Sequence, residues 1–213
     1  MDKSEKLTIE NAFLSQFESN MLRQRTVIIG QVVSFNSVAN SVDVQPVLQR
    51  KFIEDEKPSN LPIINDVPVA FFGGGGFWIT IEPAAGDYCI LLISDRSIDL
   101  WKETGGIVSP DKGRHHDFND AIAYLGLNPF NNALQNVAQN AIHIRSRDGA
   151  AGVKLSNGDL QLIQGGSTIA TVTAGSVAFT VNVTAPDFVT DSGISLGSHT
   201  HPGDSGGTTG GPN

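Results

Sequence analysis

Residues 141–183 fall into short runs in which apolar and polar side chains alternate, separated by glycine-containing turns. The runs cover 141–147, 152–155, 159–162, 167–173 and 176–183. Alternation at period two is the pattern of a strand with one apolar and one wet face. Here the apolar face is narrow and built mainly of Ile, Leu, Val and Ala, with Phe179 and Phe188 the only aromatics from 149 onward. Thirteen of the 23 glycines also lie in 149–213. One such chain has too little large apolar surface to close a core, and its strand edges are expected to stand unpaired. Three chains wound together would bury the apolar rows on a shared axis and pair those edges. The pattern therefore predicts a trimeric, intertwined β-helix over 141–196. His143, Arg145 and Arg147 share the polar parity, so His143 is expected to be a solvated surface residue.

The chain closes on Gly197-Ser198-His199-Thr200-His201-Pro202-Gly203 and a Gly/Ser/Thr-rich run to Asn213. Side chains two apart on an extended segment point to the same side, so His199 and His201 can face one target. Neutral imidazole is a common metal ligand. Two ligands are too few for a closed site, but a three-fold assembly offers six, a set that suits an octahedral transition metal. The competing reading is a mobile tail with two solvated histidines.

Upstream, residues 8–22 predict a helix, with Thr8 as N-cap and Ile9, Phe13, Phe17 and Met21 recurring every four residues beside Leu14 and Leu22. That stripe belongs either in the core of its own domain or against another subunit. From Thr26 the period changes to two. Strands are expected at 27–35, 42–47, 67–72, 77–81 and 88–93, with a turn at Asn40-Ser41 and a polar loop at 54–60. Five short strands on one core predict a small Greek-key barrel of the OB type. The run Gly73 to Gly76 lacks the Gly-Lys-Ser/Thr of a phosphate loop and leads into a strand, so a wide hairpin connection is expected. Arg114-His115-His116-Asp117 is the most catalytic-looking cluster. Neighbouring residues point in different directions, so a turn or short helix closing the barrel, capped near Asp117, is the better reading.

Composition narrows the function. The net charge of −8 argues against a nucleic-acid partner, since phosphate contacts need Lys and Arg. Charged residues make up 17%, low beside the roughly 25% of ordinary globular domains. The lone Cys89 sits in the apolar run 88–93 and reads as a core thiol. The N-terminus leads into an amphipathic stretch, so no signal peptide is expected, and no run of 18 apolar residues suggests a spanning helix. Asp159, Asp187, Asp191 and Asp204 are scattered and lack aromatic sugar platforms, which opposes a polysaccharide-degrading enzyme.

With these segments in order, the chain resembles the central spike proteins of contractile-tailed bacteriophages, the baseplate assembly protein V and Mu-type spike group. The likeness rests on Asn65-Asp66-Val67-Pro68-Val69, Pro83-Ala84-Ala85-Gly86-Asp87, Asp95-Arg96-Ser97-Ile98-Asp99-Leu100-Trp101 and Arg114-His115-His116-Asp117-Phe118-Asn119-Asp120-Ala121. It continues in Thr184-Ala185-Pro186-Asp187 and above all in His199-Thr200-His201-Pro202-Gly203. The resemblance implies an all-β homotrimer with an N-terminal helix (1–24), an OB-fold barrel (25–127), a linker (128–140), the β-helix (141–196) and an apex (197–213). It implies one iron ion per trimer held by His199 and His201 of each chain. The family's apex can also hold calcium and chloride, to which no residue here is assigned. It further implies a non-enzymatic virion component at the tip of the tail baseplate. The barrel would meet hub and tail-tube proteins, and the tip would pierce the host outer membrane. The alternative is a receptor- or sugar-binding trimeric tail-fibre module.

Overall fold

A computed structural model describes residues 9–50, 57–197, 199 and 200 of the 213-residue chain. Thr8, the loop residues Glu54 to Glu56, Ser198 and the segment 201–213 with His201 lie outside them, as do the side chains of Ile9 and Leu22. The chain divides into two compact units between Asn132 and Ala133.

The first unit opens with helix α1 (Ile9–Arg23). Strands β1 (Val27–Asn36), β2 (Ser41–Pro46) and β3 (Ile64–Pro68) follow. A separate ribbon is formed by β4 (Phe72–Gly74) and β5 (Phe77–Ile79). Then come β6 (Tyr88–Ile93), the short helix α2 (Asp99–Thr104), a 3-10 turn at Phe118–Asp120 and β7 (Ala121–Leu127). The main sheet runs β3-β2-β1-β6-β7, with antiparallel neighbours throughout. Its outer strands also meet: Val69 bridges Ala123 in parallel, and the Ala70 N–H donates to the Ala123 carbonyl at 2.9 Å. Alternate residues point inward. Val32, Val42, Val44, Ile64, Val67, Cys89, Leu91, Ile93, Ala121 and Ala123 form the core, none more than 8% exposed. Register shifts bend the sheet as it closes. One opposes Tyr88-Cys89 to Leu127 and Leu125, leaving Gly126 at φ +102° as the extra residue.

The connection at Gly73 to Gly76 is tight, not wide. Gly75 and Gly76, at φ +59° and +89°, make a two-residue turn between β4 and β5, a backbone that side chains rarely adopt. The Trp78 ring lies over Gly73, where a Cβ would collide with it. The expected strand at 77–81 is shorter than its pattern and does not enter the main sheet.

The second unit is a five-stranded antiparallel meander, β8 (Ala141–Arg145), β9 (Ala151–Ser156), β10 (Leu160–Gln164), β11 (Ser167–Val172) and β12 (Val177–Phe179). Each strand pairs with the next within the chain. This corrects the expectation of unpaired edges: only the outer edges of β8 and β12 lack a strand neighbour among the described residues. What is uncovered is a face. Two apolar rows cross the whole sheet in register. One is Ile142–Leu155–Leu160–Val172–Val177, the other Ile144–Val153–Leu162–Ala170–Phe179. Apart from Leu160 and Ala170, these side chains are 39–66% exposed. Ala170 is the only buried hydrophobic of this unit among the described residues.

Candidate functional site

The segment leading to His199 is a closed hairpin whose bonds can be followed one by one. Asp187 lies at its start. Its Oδ1 accepts the Gly197 N–H at 2.9 Å, and the Ser195 hydroxyl also donates to this carboxylate. Val189 and Ser195 form an antiparallel bridge, and the Leu196 N–H reaches the Phe188 carbonyl at 2.7 Å. At the tip, the Thr190 N–H bonds to the Ile194 carbonyl, and Thr190 Oγ1 accepts the Ile194 N–H at 3.1 Å. Gly193 turns the chain at φ +79°. The Ser195 hydroxyl first, then the Gly197 N–H, holds the Asp187 carboxyl below the usual carboxylate range. Phe188, Val189, Thr190, Ile194, Leu196 and His199 border an open hollow of about 410 Å³.

His199 is attached to this hairpin by its backbone and its ring. Its N–H donates to the Ser195 carbonyl at 3.0 Å. Its Nδ1 lies 2.9 Å from the same oxygen and 3.2 Å from the Leu196 carbonyl oxygen. A carbonyl only accepts, so Nδ1 carries the proton, and in the neutral ring the lone pair sits on Nε2. That tautomer fits metal ligation: a ligating histidine commonly donates its other ring N–H to a backbone carbonyl. One imidazole is not a site. No group of three or more His, Cys, Asp or Glu is placed to hold a metal among the described residues. His201, the second expected ligand, lies outside them. Nothing in the sequence singled out Asp187 and Ser195 as supports of His199. A carboxylate ten residues ahead of the glycine it bonds leaves no periodic trace.

The Arg114-His115-His116-Asp117 cluster does not converge. Arg114 turns inward, with Nη2 2.7 Å from Asp120 Oδ1, Nε 3.1 Å from Asp120 Oδ2, and Nη2 2.9 Å from Asp99 Oδ2. His115 Nε2 accepts from Arg96 at 3.1 Å, and His116 Nε2 accepts from Gln24 at 3.0 Å. Asp117 caps the 3-10 turn by accepting the Asn119 N–H at 2.9 Å. Asp120 is fully buried and also accepts the Ile98 N–H, so the cluster is a latch tying α2 and the turn to the barrel. Lys112, 2.5 Å from Asp99, completes it.

One placement differs from expectation, and a second bears on the two readings of the α1 stripe. His143 is not solvated. Both ring nitrogens are shielded and have no hydrogen-bond partner among the described residues, and the ring lies over Gly152, where a Cβ would come within 3.0 Å of Nε2. The polar face is thus the more covered one in the single chain. The α1 stripe does not enter its own unit's core: Phe13, Leu14, Phe17 and Met21 are 52–73% exposed. The β4–β5 ribbon likewise exposes Phe72, Phe77 and Trp78. No helix among the described residues is long and apolar enough to cross a membrane.

Residues 28–126 match the family described as the phage protein Gp138 N-terminal domain. Residues 193–213 match the GpV apex motif, which begins inside the hairpin that holds His199. No curated protein matches the chain.

Proposed function

We propose that this chain, which carries two structural components of phage central spikes, is the subunit of a homotrimeric central spike at the tip of a contractile tail. The observation that carries the reading is the bare apolar face of β8–β12. It lies between a spike-type N-terminal domain and a spike apex motif, where a single chain leaves two apolar rows uncovered. Closing three such faces on one axis would give the β-helix and remove the exposure. An OB-type barrel is supported by the order β3-β2-β1-β6-β7 with a parallel bridge joining its outer strands.

The apex motif is associated with a metal-binding apex. In this reading His199 and His201 of three chains would hold one iron ion, which when bound cross-links the three chain ends. Strand ends are where backbone partners run out, so the tip is where a puncturing device frays first. A ligand that binds only the assembled tip adds its binding free energy to the folded trimer. The weakly charged surface leaves few groups to arrest the spike in the outer membrane. The exposed stripe of α1 and the β4–β5 ribbon support a docking role toward hub and tube proteins. The function is mechanical, and the products of the matched families are structural phage proteins.

The test combines light scattering with elemental analysis, on the wild type and on His199→Ala/His201→Ala. The expected result is a trimer with one iron per three chains, the iron being lost in the double variant. A monomer, or a metal-free trimer of intact chains, would overturn the spike-tip reading.

A further inference from the structure

Resting on that reading, we infer that Asp187 is a positioning residue for the apex metal: it locks the 187–197 hairpin so that the backbone carbonyls of Ser195 and Leu196 fix the His199 ring with the proton on Nδ1 and the lone pair on Nε2.

Two neighbouring backbone oxygens face the His199 ring: that of Ser195 takes both the His199 N–H and the Nδ1–H, and that of Leu196 lies 3.2 Å from Nδ1. A carbonyl can hold a ring in place only if the peptide it belongs to is itself held. The Asp187 carboxylate provides this hold from both sides of Ser195 and Leu196. It accepts the Ser195 hydroxyl on one side and the Gly197 N–H on the other. The bridge between Val189 and Ser195, with the Leu196 N–H to Phe188 bond, completes the frame. Removing the carboxylate would loosen the 195–197 peptides and with them the hold on the Nδ1–H tautomer. The Nε2–H form would then place the lone pair on Nδ1, against the hairpin.

The space around Gly197 supports the same assignment. A Cβ there would come within 3.2 Å of Asp187 Oδ1 and 3.9 Å of Ser195 Oγ, so the atoms it meets first belong to Asp187 and Ser195. The Gly197 φ lies outside the left-handed region, so an alanine would disturb the carboxylate and not strain the backbone. Asp187 and the residue at 197 can thus be perturbed separately and should report on the same ring.

The experiment uses the full chain, stripped of metal and given ferrous iron without oxygen. Iron retained against a chelator is measured together with trimer mass, and the ring tautomers are read by nitrogen-15 NMR. The His199 signal is the one absent from His199→Gln. Asp187→Ala should weaken iron retention by about 10- to 100-fold at unchanged trimer mass. Asp187→Asn keeps an acceptor for the Gly197 N–H and should restore most of the loss. Gly197→Ala should fall between them. In metal-free wild type the His199 ring should be in the Nδ1–H form, and Asp187→Ala should mix the two forms. Iron held by Asp187→Ala as by the wild type would overturn the inference alone. So would an Nε2–H ring in the wild type, or iron lost only in step with the trimer. A wild-type trimer that takes up no iron would overturn the apex-metal reading and this inference with it.

Discussion

The chain builds a five-stranded antiparallel sheet twice, from similar alternating segments, with opposite results. In the first unit the sheet curls until β3 reaches β7, and its apolar face turns inward onto a core no more than 8% exposed. In the second, among the described residues, the meander β8–β12 has no strand neighbour at either edge and leaves nearly all of two apolar rows uncovered. The difference is one of closure and bulk. The barrel has ten buried apolar residues and a parallel bridge that ends its edges. The meander has large side chains on one face and, among the described residues of its unit, no second layer over them. In the proposed trimer this apolar, nearly uncharged face would be covered by other copies of itself.

The largest expected effect breaks the comparison at its centre. Leu162→Asp puts a carboxylate in the middle of an apolar row, once per chain, where a closed trimer offers it no cation. Three unpaired buried charges should abolish assembly, so light scattering should fall from trimer to monomer. The barrel should not notice. Its single cysteine reports on it: burial pushes the Cys89 thiol up to about 11, so the closed barrel should resist alkylation at pH 8. Cys89 that stays protected in the Leu162→Asp monomer supports two independent units. Rapid labelling would mean that the barrel depends on the trimer.

The next effect tests the latch. Arg114→Met strands the fully buried Asp120 carboxylate and should cost about 3–5 kcal/mol of barrel stability in urea unfolding. Adding Asp120→Asn should recover part of the loss, because the stranded charge is gone. A loss below about 1 kcal/mol, the scale of an exposed pair, would reduce the latch to a surface contact. Close behind, Leu91→Ala empties the middle of the barrel core and should cost about 2–5 kcal/mol in the same measurement. The comparison predicts that Leu155→Ala costs far less in the dissociated monomer than in the trimer.

Much of this was legible from period alone. The switch from a four-residue stripe to alternation marks where α1 ends and β1 begins, and the inward positions of β6, Cys89, Leu91 and Ile93, are every second residue of an apolar run. Closure was harder to read, since Val69 and Ala123 lie far apart in sequence and meet through one bridge. A run of four glycines does not show turn geometry: Gly73 to Gly76 serve a two-residue turn and a bed for Trp78. Parity gives His143 a face and not its exposure, and in this sheet the polar face is the more covered one. At the apex, His199 could be named from the His-x-His spacing. Its bond to the Ser195 carbonyl, and the Gly197 N–H bond to Asp187 beside it, could not, because hydrogen bonds to backbone groups leave no residue signature.

The smallest expected effect sharpens the contrast through pH. Asp99 is held below its ordinary value of 3.8 by its bond to Lys112, helped by Arg114, and Lys112 is raised above 10.5 by the same carboxylate. A depressed carboxylate contributes stability that is present above its unfolded value and lost as pH falls through its folded one. A raised ammonium contributes stability that is present below its unfolded value and lost as pH rises through its folded one. The latch should therefore be at full strength between about pH 4 and pH 10. It should weaken on the acid side only below the ordinary carboxylate range. Lys112→Met should remove the alkaline loss and shrink the acid one, changing the midpoint little near neutrality because Lys112 is exposed. Apolar rows carry no such titration, so trimer mass should stay flat across the latch's alkaline limit while barrel stability bends. A trimer that dissociates at that same limit would show the two units to be coupled.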